Sequence, residues 1–349
     1  MREPADAASP PTWDDDAEAW RVGSYHLASA ILRDSAGFTV DHPGFSTRRL
    51  TGPSMLTVDG AAHTRHRAAF AARFRRDAVD RLGDFVHRTA DRLVRERPQT
   101  DELEVRGELA QPLAVATLRE ALTLQAIPTR ELTDWYLLLR EAFENDTGGG
   151  QAGVVTRMRS RLHALPHPGL SLDDYVGNVC IMLLGGIETV EGMICHAVVD
   201  HFTVDHRSRD VAAPSTRPDA FLEESLRRTT PVLRLDRYAT ADCTLAGQPI
   251  HAGDLVIVDL EAANLDPSAF TDPETFDTGR AASTRHLSFA VGPHHCLGVH
   301  LARLESRAAL TALHTHLPDA FLDHEHTDPS TGSIFRKPAR VTLCAGQAR

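Results

Sequence analysis

The sequence predicts a mainly α-helical protein with a small β-sheet part, and three observations carry that expectation. From about residue 24 to residue 205, segment after segment places apolar residues three and four apart, the spacing of one helix face. Beyond Pro231 the pattern changes to alternation broken by glycine-containing turns, which reads as strands. The stretch "LGVHLARLESRAALTALHTHL" then returns to helical spacing directly after a cysteine set among histidines and glycines.

Taken in order, residues 1–12, rich in alanine and proline, are expected to be a flexible tail, and residues 13–349 one domain. "SYHLASAILRD" opens the helical region, and "RHRAAFAARFRRDAVDRLGDFVHRTADRLVRE", "LAVATLREALTL" and "ELTDWYLLLREAF" continue it. Gly148 to Gly150 and "LPHPGL" mark breaks. Ser171 followed by Asp174 has the form of a capping box opening a helix that runs to about Val199. That helix is apolar nearly all round and is expected to be buried. "RPDAFLEESLRR" starts another, with Pro218 in its first turn. "RLDRYATADCTLAGQPIHAGDLVIVDL" supplies the strands.

Composition narrows the class. With 42% hydrophobic and 24% charged residues in 349, the chain reads as a folded globular protein. A net charge of −11 argues against nucleic acid as a general partner, because phosphate binding needs a concentrated basic surface. The start lacks the pattern of a signal peptide, and the longest apolar stretch carries Asn178 and Glu188, so no membrane partner and a cytoplasmic location are expected. Five scattered cysteines, an odd number, argue against a disulfide framework.

The cysteine cluster, "FAVGPHHCLGVH", admits three readings on residue type alone. His294, His295, Cys296 and His300 are zinc-ligand types, yet no second pair with matching spacing stands out. A thiol at a helix start beside a histidine could be a nucleophile, and a lone cysteine could be a small buried hydrophobe. The glycines add a pattern, F-x-x-G-x-H-x-C-x-G, formed by Phe289, Gly292, His294, Cys296 and Gly298.

This pattern resembles the haem-binding loop of the cytochrome P-450 family, with Ala290 where that family usually has the glycine of Phe-Gly. The resemblance implies a haem between a long distal helix and the helix that follows the cysteine loop. It makes Cys296 the axial thiolate on the iron of haem b (iron protoporphyrin IX), and His294 a partner of a haem propionate. Phe289 and Gly298 join them as cofactor-binding residues. Other family features follow in order from about residue 55 to the C-terminus. His63 and Arg67 match a propionate-binding pair, as does Arg237, and Glu224 with Arg227 match a structural Glu/Arg lock. "LLGGIETVEG" is similar to the distal-helix pattern, in which Gly185 and Gly186 give dioxygen room while Glu188 and Thr189 organise proton delivery. Val190 departs from the second threonine of many relatives, and the interval between His63 and Thr189 is shorter than usual.

The implied activity is that of a haem-thiolate monooxygenase acting on a small organic molecule, a natural-product intermediate or a carrier-bound substrate. Electrons would come from a ferredoxin or flavodoxin-type donor and its reductase, docked near Arg73, Arg75 and Arg76. Val232, Leu233 and "TRRLTGPSML" are expected to line the pocket. A peroxide-driven enzyme, a haem-binding sensor and a zinc protein are the rival classes. Glu188 and Thr189 argue against the first two.

Overall fold

The helical spacing is realised as α1 (Tyr25–Arg33), α2 (Ser46–Thr51), α3 (Gly60–Phe74), α4 (Arg76–Arg95), α5 (Gln111–Ala121), α6 (Thr129–Glu144), α7 (Gln151–Leu162), α8 (Leu172–Leu183), α9 (Thr189–Thr203), α10 (Pro218–Arg228), α11 (Leu260–Asn264) and α12 (Val299–His316). This is a computed structural model describing residues 9–97, 101–144, 151–203, 218–280 and 285–345. The expected break at Gly148–Gly150 and residues 1–8 of the expected tail lie outside the described residues.

Two boundaries differ from expectation. The long segment around residue 75 is not continuous: Arg75 adopts extended backbone (φ −63°, ψ 153°), ending α3 and starting α4. The break lets Phe74 and Val79 both turn into the core. The tail also ends early, because β1 (Thr12–Asp14) pairs with β2 (Ala19–Val22) and Trp13 meets Trp20 edge-on at 5.3 Å.

The remaining strands are β3 (Phe38–Thr39), β4 (Glu102–Glu104), β5 (Arg234–Ala239), β6 (Cys243–Leu245), β7 (Gln248–Ile250), β8 (Leu255–Asp259), β9 (Ala320–Leu322), β10 (Ser330–Thr331), β11 (Lys337–Pro338) and β12 (Thr342–Ala345). The largest sheet has the order β1-β2-β8-β5-β3, with β8 parallel to β2 and antiparallel to β5. It joins the N-terminal strands to the segment after Pro231, a pairing that no local pattern announces.

The segment from Leu172 to Thr203 crosses the helical part. Ser171 Oγ accepts the Asp174 amide at 3.1 Å, as the capping box requires. Between α8 and α9 the helix widens to a π turn at Leu184–Glu188, where Gly185 and Gly186 lie. This is the stretch among the described residues long and apolar enough to cross a membrane, and 78% of its most apolar window is buried inside the fold. Beneath it α12 lies against α4 and α9. The space between the π turn and the start of α12 is the cavity that holds the site.

Candidate active site

The cysteine loop is shaped by its backbone. The Cys296 amide donates to the Phe289 carbonyl at 2.9 Å, and the His295 amide to that of Gly292 at 3.0 Å, curling residues 289–296 into a tight turn ahead of α12. Gly292 has φ +80°, and a Cβ there would come 2.4 Å from the Leu32 carbonyl oxygen, so the loop presses against α1 as only glycine allows. Ala290, where the related loops carry glycine, is left-handed too, at φ 54°.

Of the five cysteines only Cys296 lines the cavity. Burial raises its thiol above the ordinary range, while the Gly298 amide and the charges of Arg67 and Arg303 act the other way. Facing it across the cavity are Gly185, Gly186 and Thr189 of the distal helix. A Cβ on Gly185 would meet nothing within 4 Å, so that glycine leaves open space, whereas one on Gly186 would come 3.1 Å from Leu118. The wall is otherwise mainly apolar, with Phe45, Met55, Leu56, Phe143, Ile181 and Val232 among its residues. Thr47, Met55 and Leu56 are the part of "TRRLTGPSML" that reaches it.

Beside Cys296 lies a cluster of donors. Arg67, Arg237 and His294 line the cavity, and His63 lies behind His294 with ring centroids 4.4 Å apart. His63 is thus not on the wall itself, and its Nε2 is buried without a hydrogen-bond partner. Burial, His294 and Arg67 push its pKa down to about 4. Arg237 is 3% exposed, and burial lowers it to about 10. His294 Nε2 contacts Asp59 Oδ1 at 2.8 Å, and Arg67 Nη2 donates to the His295 carbonyl at 2.8 Å. So much buried positive charge, with an unused imidazole nitrogen, suits a ligand carrying carboxylates.

A family model described as Cytochrome P450 matches residues 218–342, which include the Glu/Arg helix, β5 and the cysteine loop. Cytochrome P450(MEG) of Priestia megaterium is 24% identical over 376 residues, covering 93% of this chain and 90% of that protein. Putative cytochrome P450 140 of Mycobacterium tuberculosis is 29% identical over 308 residues, 77% of this chain and 68% of the other. Among solved structures, the post-tailoring hydroxylase HmtN of himastatin biosynthesis superposes with a TM-score of 0.82 at 25% identity, covering 98% and 95% of the two chains. P450BioI, solved with an acyl carrier protein bearing a fatty acid, gives 0.84 at 22% identity, over 96% and 95%.

The chain belongs to the cytochrome P450 family. It is an oxidoreductase of the monooxygenase class, and the family cofactor is a haem held by a cysteine thiolate. The residues present fit that cofactor: this P450 offers one half-buried cysteine on the cavity wall and a cluster of carboxylate-binding donors next to it.

Several expected residues of this P450 stand elsewhere. Leu233 does not line the cavity: its amide donates to the Ile334 carbonyl and its carbonyl accepts from the Leu260 amide. Glu224 and Arg227, expected as a structural lock and not on the wall, are fully buried as a bidentate pair at 2.8 and 2.9 Å. The arginine patch is dispersed. Arg73 donates to the Ala69 carbonyl and acts on Tyr175, Arg75 pairs with Asp77, and only Arg76 approaches α12, at His300.

On the distal helix, Thr189 lines the cavity and its hydroxyl donates to the Gly185 carbonyl at 2.6 Å, within the π turn. Glu188 does not line it, because neighbouring helix residues diverge by roughly 100°. Its carboxylate is held behind the helix by Lys337 at 2.8 Å and by the Tyr136 hydroxyl. Sequence reasoning missed Lys337 and Tyr136, and it missed Glu305, a buried acid on the cavity wall whose pKa burial raises far above the carboxylate range. One signal was available: Lys337 is the single lysine of the chain.

Proposed function

We propose that this P450 is one domain over residues 13–349 that binds haem b in the cytoplasm and hydroxylates a small organic molecule, such as a natural-product intermediate. The position of Cys296 carries the reading, since its thiol shares one apolar cavity with Gly185 and Thr189. The bound haem supplies the activation of dioxygen and the oxidising power. Cys296 would give the haem its thiolate ligand, whose charge the Gly298 amide, Arg67 and Arg303 would stabilise. Arg67, Arg237, His63 and His294 would hold the porphyrin carboxylates, and Phe289 and Gly298 would belong to the loop that carries the cofactor. Thr189 spends its own proton on Gly185, so its oxygen is free to accept a hydrogen bond from water in the cavity. Glu188 is the proton source one residue away, and the apolar wall around Val232 and Met55 excludes water and orients substrate.

Electrons arrive from a ferredoxin or flavodoxin-type donor and its reductase at the face bearing Arg76, His300 and Arg303, where an acidic donor is steered. The fold likeness to P450BioI supports a carrier-bound substrate as a second form. The experiment is the spectrum of the reduced, carbon-monoxide-bound protein. The wild type should give the thiolate-type band, and Cys296→Ser should lose both band and product formation. An unchanged spectrum in the serine variant rejects the reading.

A further inference from the structure

Of the 37 lysine and arginine residues, one is lysine, and it is buried. Lys337 of β11 enters behind the distal helix, where its Nζ meets Glu188 Oε1 at 2.8 Å, Glu191 Oε2, and the Tyr136 oxygen at 3.3 Å. Tyr136 in turn donates its hydroxyl hydrogen to Glu188 Oε2. Glu191 is also held by Arg106 at 3.2 Å and Gln111 at 2.9 Å. Arg106 keeps a fifth of its side chain exposed, at 20%, so the polar chain runs from the surface to Glu188, the neighbour of cavity-lining Thr189.

Two buried carboxylates need two cations, but neutrality does not require a lysine. Arginine would give the same charge and holds its protons at any working pH, whereas an ammonium can release one. The bonds also have a direction, since Lys337 donates to Tyr136 and Tyr136 donates to Glu188.

We propose that Lys337 and Tyr136 are positioning residues that reload Glu188 with protons from solvent. The proposal rests on the reading of Glu188 as the proton source for Thr189 and its water. In the step, the Tyr136 O–H proton passes to the Glu188 carboxylate while one Lys337 N–H proton passes to the Tyr136 oxygen. The neutral amine, whose side chain is itself 9% exposed, then regains a proton from solvent water, with Glu191 and Arg106 balancing the charge, and nothing is oxidised or reduced. The charged and titratable groups acting on the relay are Glu188, Glu191 and Cys195 of the distal helix, Tyr136 and Arg140 of α6, and Arg106.

Two substitutions test it in the holoenzyme. Tyr136→Phe keeps the ring and removes the hydroxyl through which Lys337 reaches Glu188 Oε2, leaving the direct contact at Oε1, and Lys337→Arg keeps the charge but removes the releasable proton. Both should take up haem as the wild type does and lower product per electron about tenfold, with more peroxide released. A readout without turnover is available because lysine occurs once: labelling with lysine carrying 13C at Cε gives a single signal, that of Lys337. Its titration midpoint should move by about one pH unit in Glu188→Gln, as expected for groups that share a proton. Full coupling in Tyr136→Phe or Lys337→Arg beside an uncoupled Glu188→Gln, or an unmoved lysine signal, overturns the proposal and leaves Glu188 its role. Full coupling in Glu188→Gln removes that role and the relay with it.

Discussion

Two buried ionic clusters lie next to the cavity, and they differ in the bases they use. In the cluster on α10, Arg227 forks onto Glu224 and also donates to the carbonyls of Asn264, Pro273 and Thr275, while Arg280 joins from the following loop. Next to it, Arg303 forks onto Glu223 at 2.6 and 2.7 Å, with His286 3.3 Å away. The cluster behind the distal helix has Lys337 and Tyr136 at its centre and its arginine at the edge. Guanidinium groups hold geometry without giving up protons, so the first cluster is suited to fixing the loop that leads to Cys296. The second contains groups that can exchange protons, set beside the helix that faces the thiol. Burial alone does not distinguish a scaffold from a relay; the chemistry of the base does.

Exchanging the bases is the sharpest way to break this contrast. Arg227→Lys keeps the charge but abandons the fork and three carbonyls, and should lower stability by about 3 kcal/mol, read as the urea midpoint. Lys337→Arg should leave that midpoint near the wild-type value. If both variants were equally unstable, the two clusters would be serving the same purpose.

Acid should separate them next. Burial raises the Glu223 carboxyl, but the nearby His286 and the fork of Arg303 outweigh it and bring its pKa to about 2, below the ordinary glutamate value of 4.5. A folded pKa below the unfolded one gives stability that is present above pH 4.5 and is lost as pH falls from there through about 2. Glu223→Gln should therefore remove on the order of 2 kcal/mol at neutral pH and flatten the acid limb, as followed by denaturation across that window.

A smaller effect is expected at Thr189, whose packing is modest. Thr189→Ala should keep haem and substrate binding while product per electron falls about tenfold. Unchanged coupling would leave Thr189 only its bond to Gly185. The smallest effect is expected in the cysteine loop, where Ala290→Gly should relieve the left-handed backbone and add about 1 kcal/mol of thermal stability without altering the haem spectrum.

What could be read along the chain was whatever short range encodes. The Ser171 cap, the Glu224/Arg227 pair three apart on one helix face, and the Phe289–Gly298 loop are each set by residues within ten positions, where helix geometry and glycine conformations leave few alternatives. The mainly α fold with a small sheet followed from periodicity for the same reason. The break at Arg75 was missed because apolar spacing continues across it, and only packing decides where the chain turns.

The sequence by itself determined the family, and it singled out Cys296 and the distal glycines as candidates, because these patterns are set by residue type at fixed local spacing. Only the tertiary structure decided where Glu188 points. Glu188 and Glu191 lie three apart on the distal helix, but no period relates them to Tyr136 and Lys337, which arrive from α6 and β11. Their meeting depends on long-range strand and helix placement, and a buried carboxylate takes the side on which its cation waits.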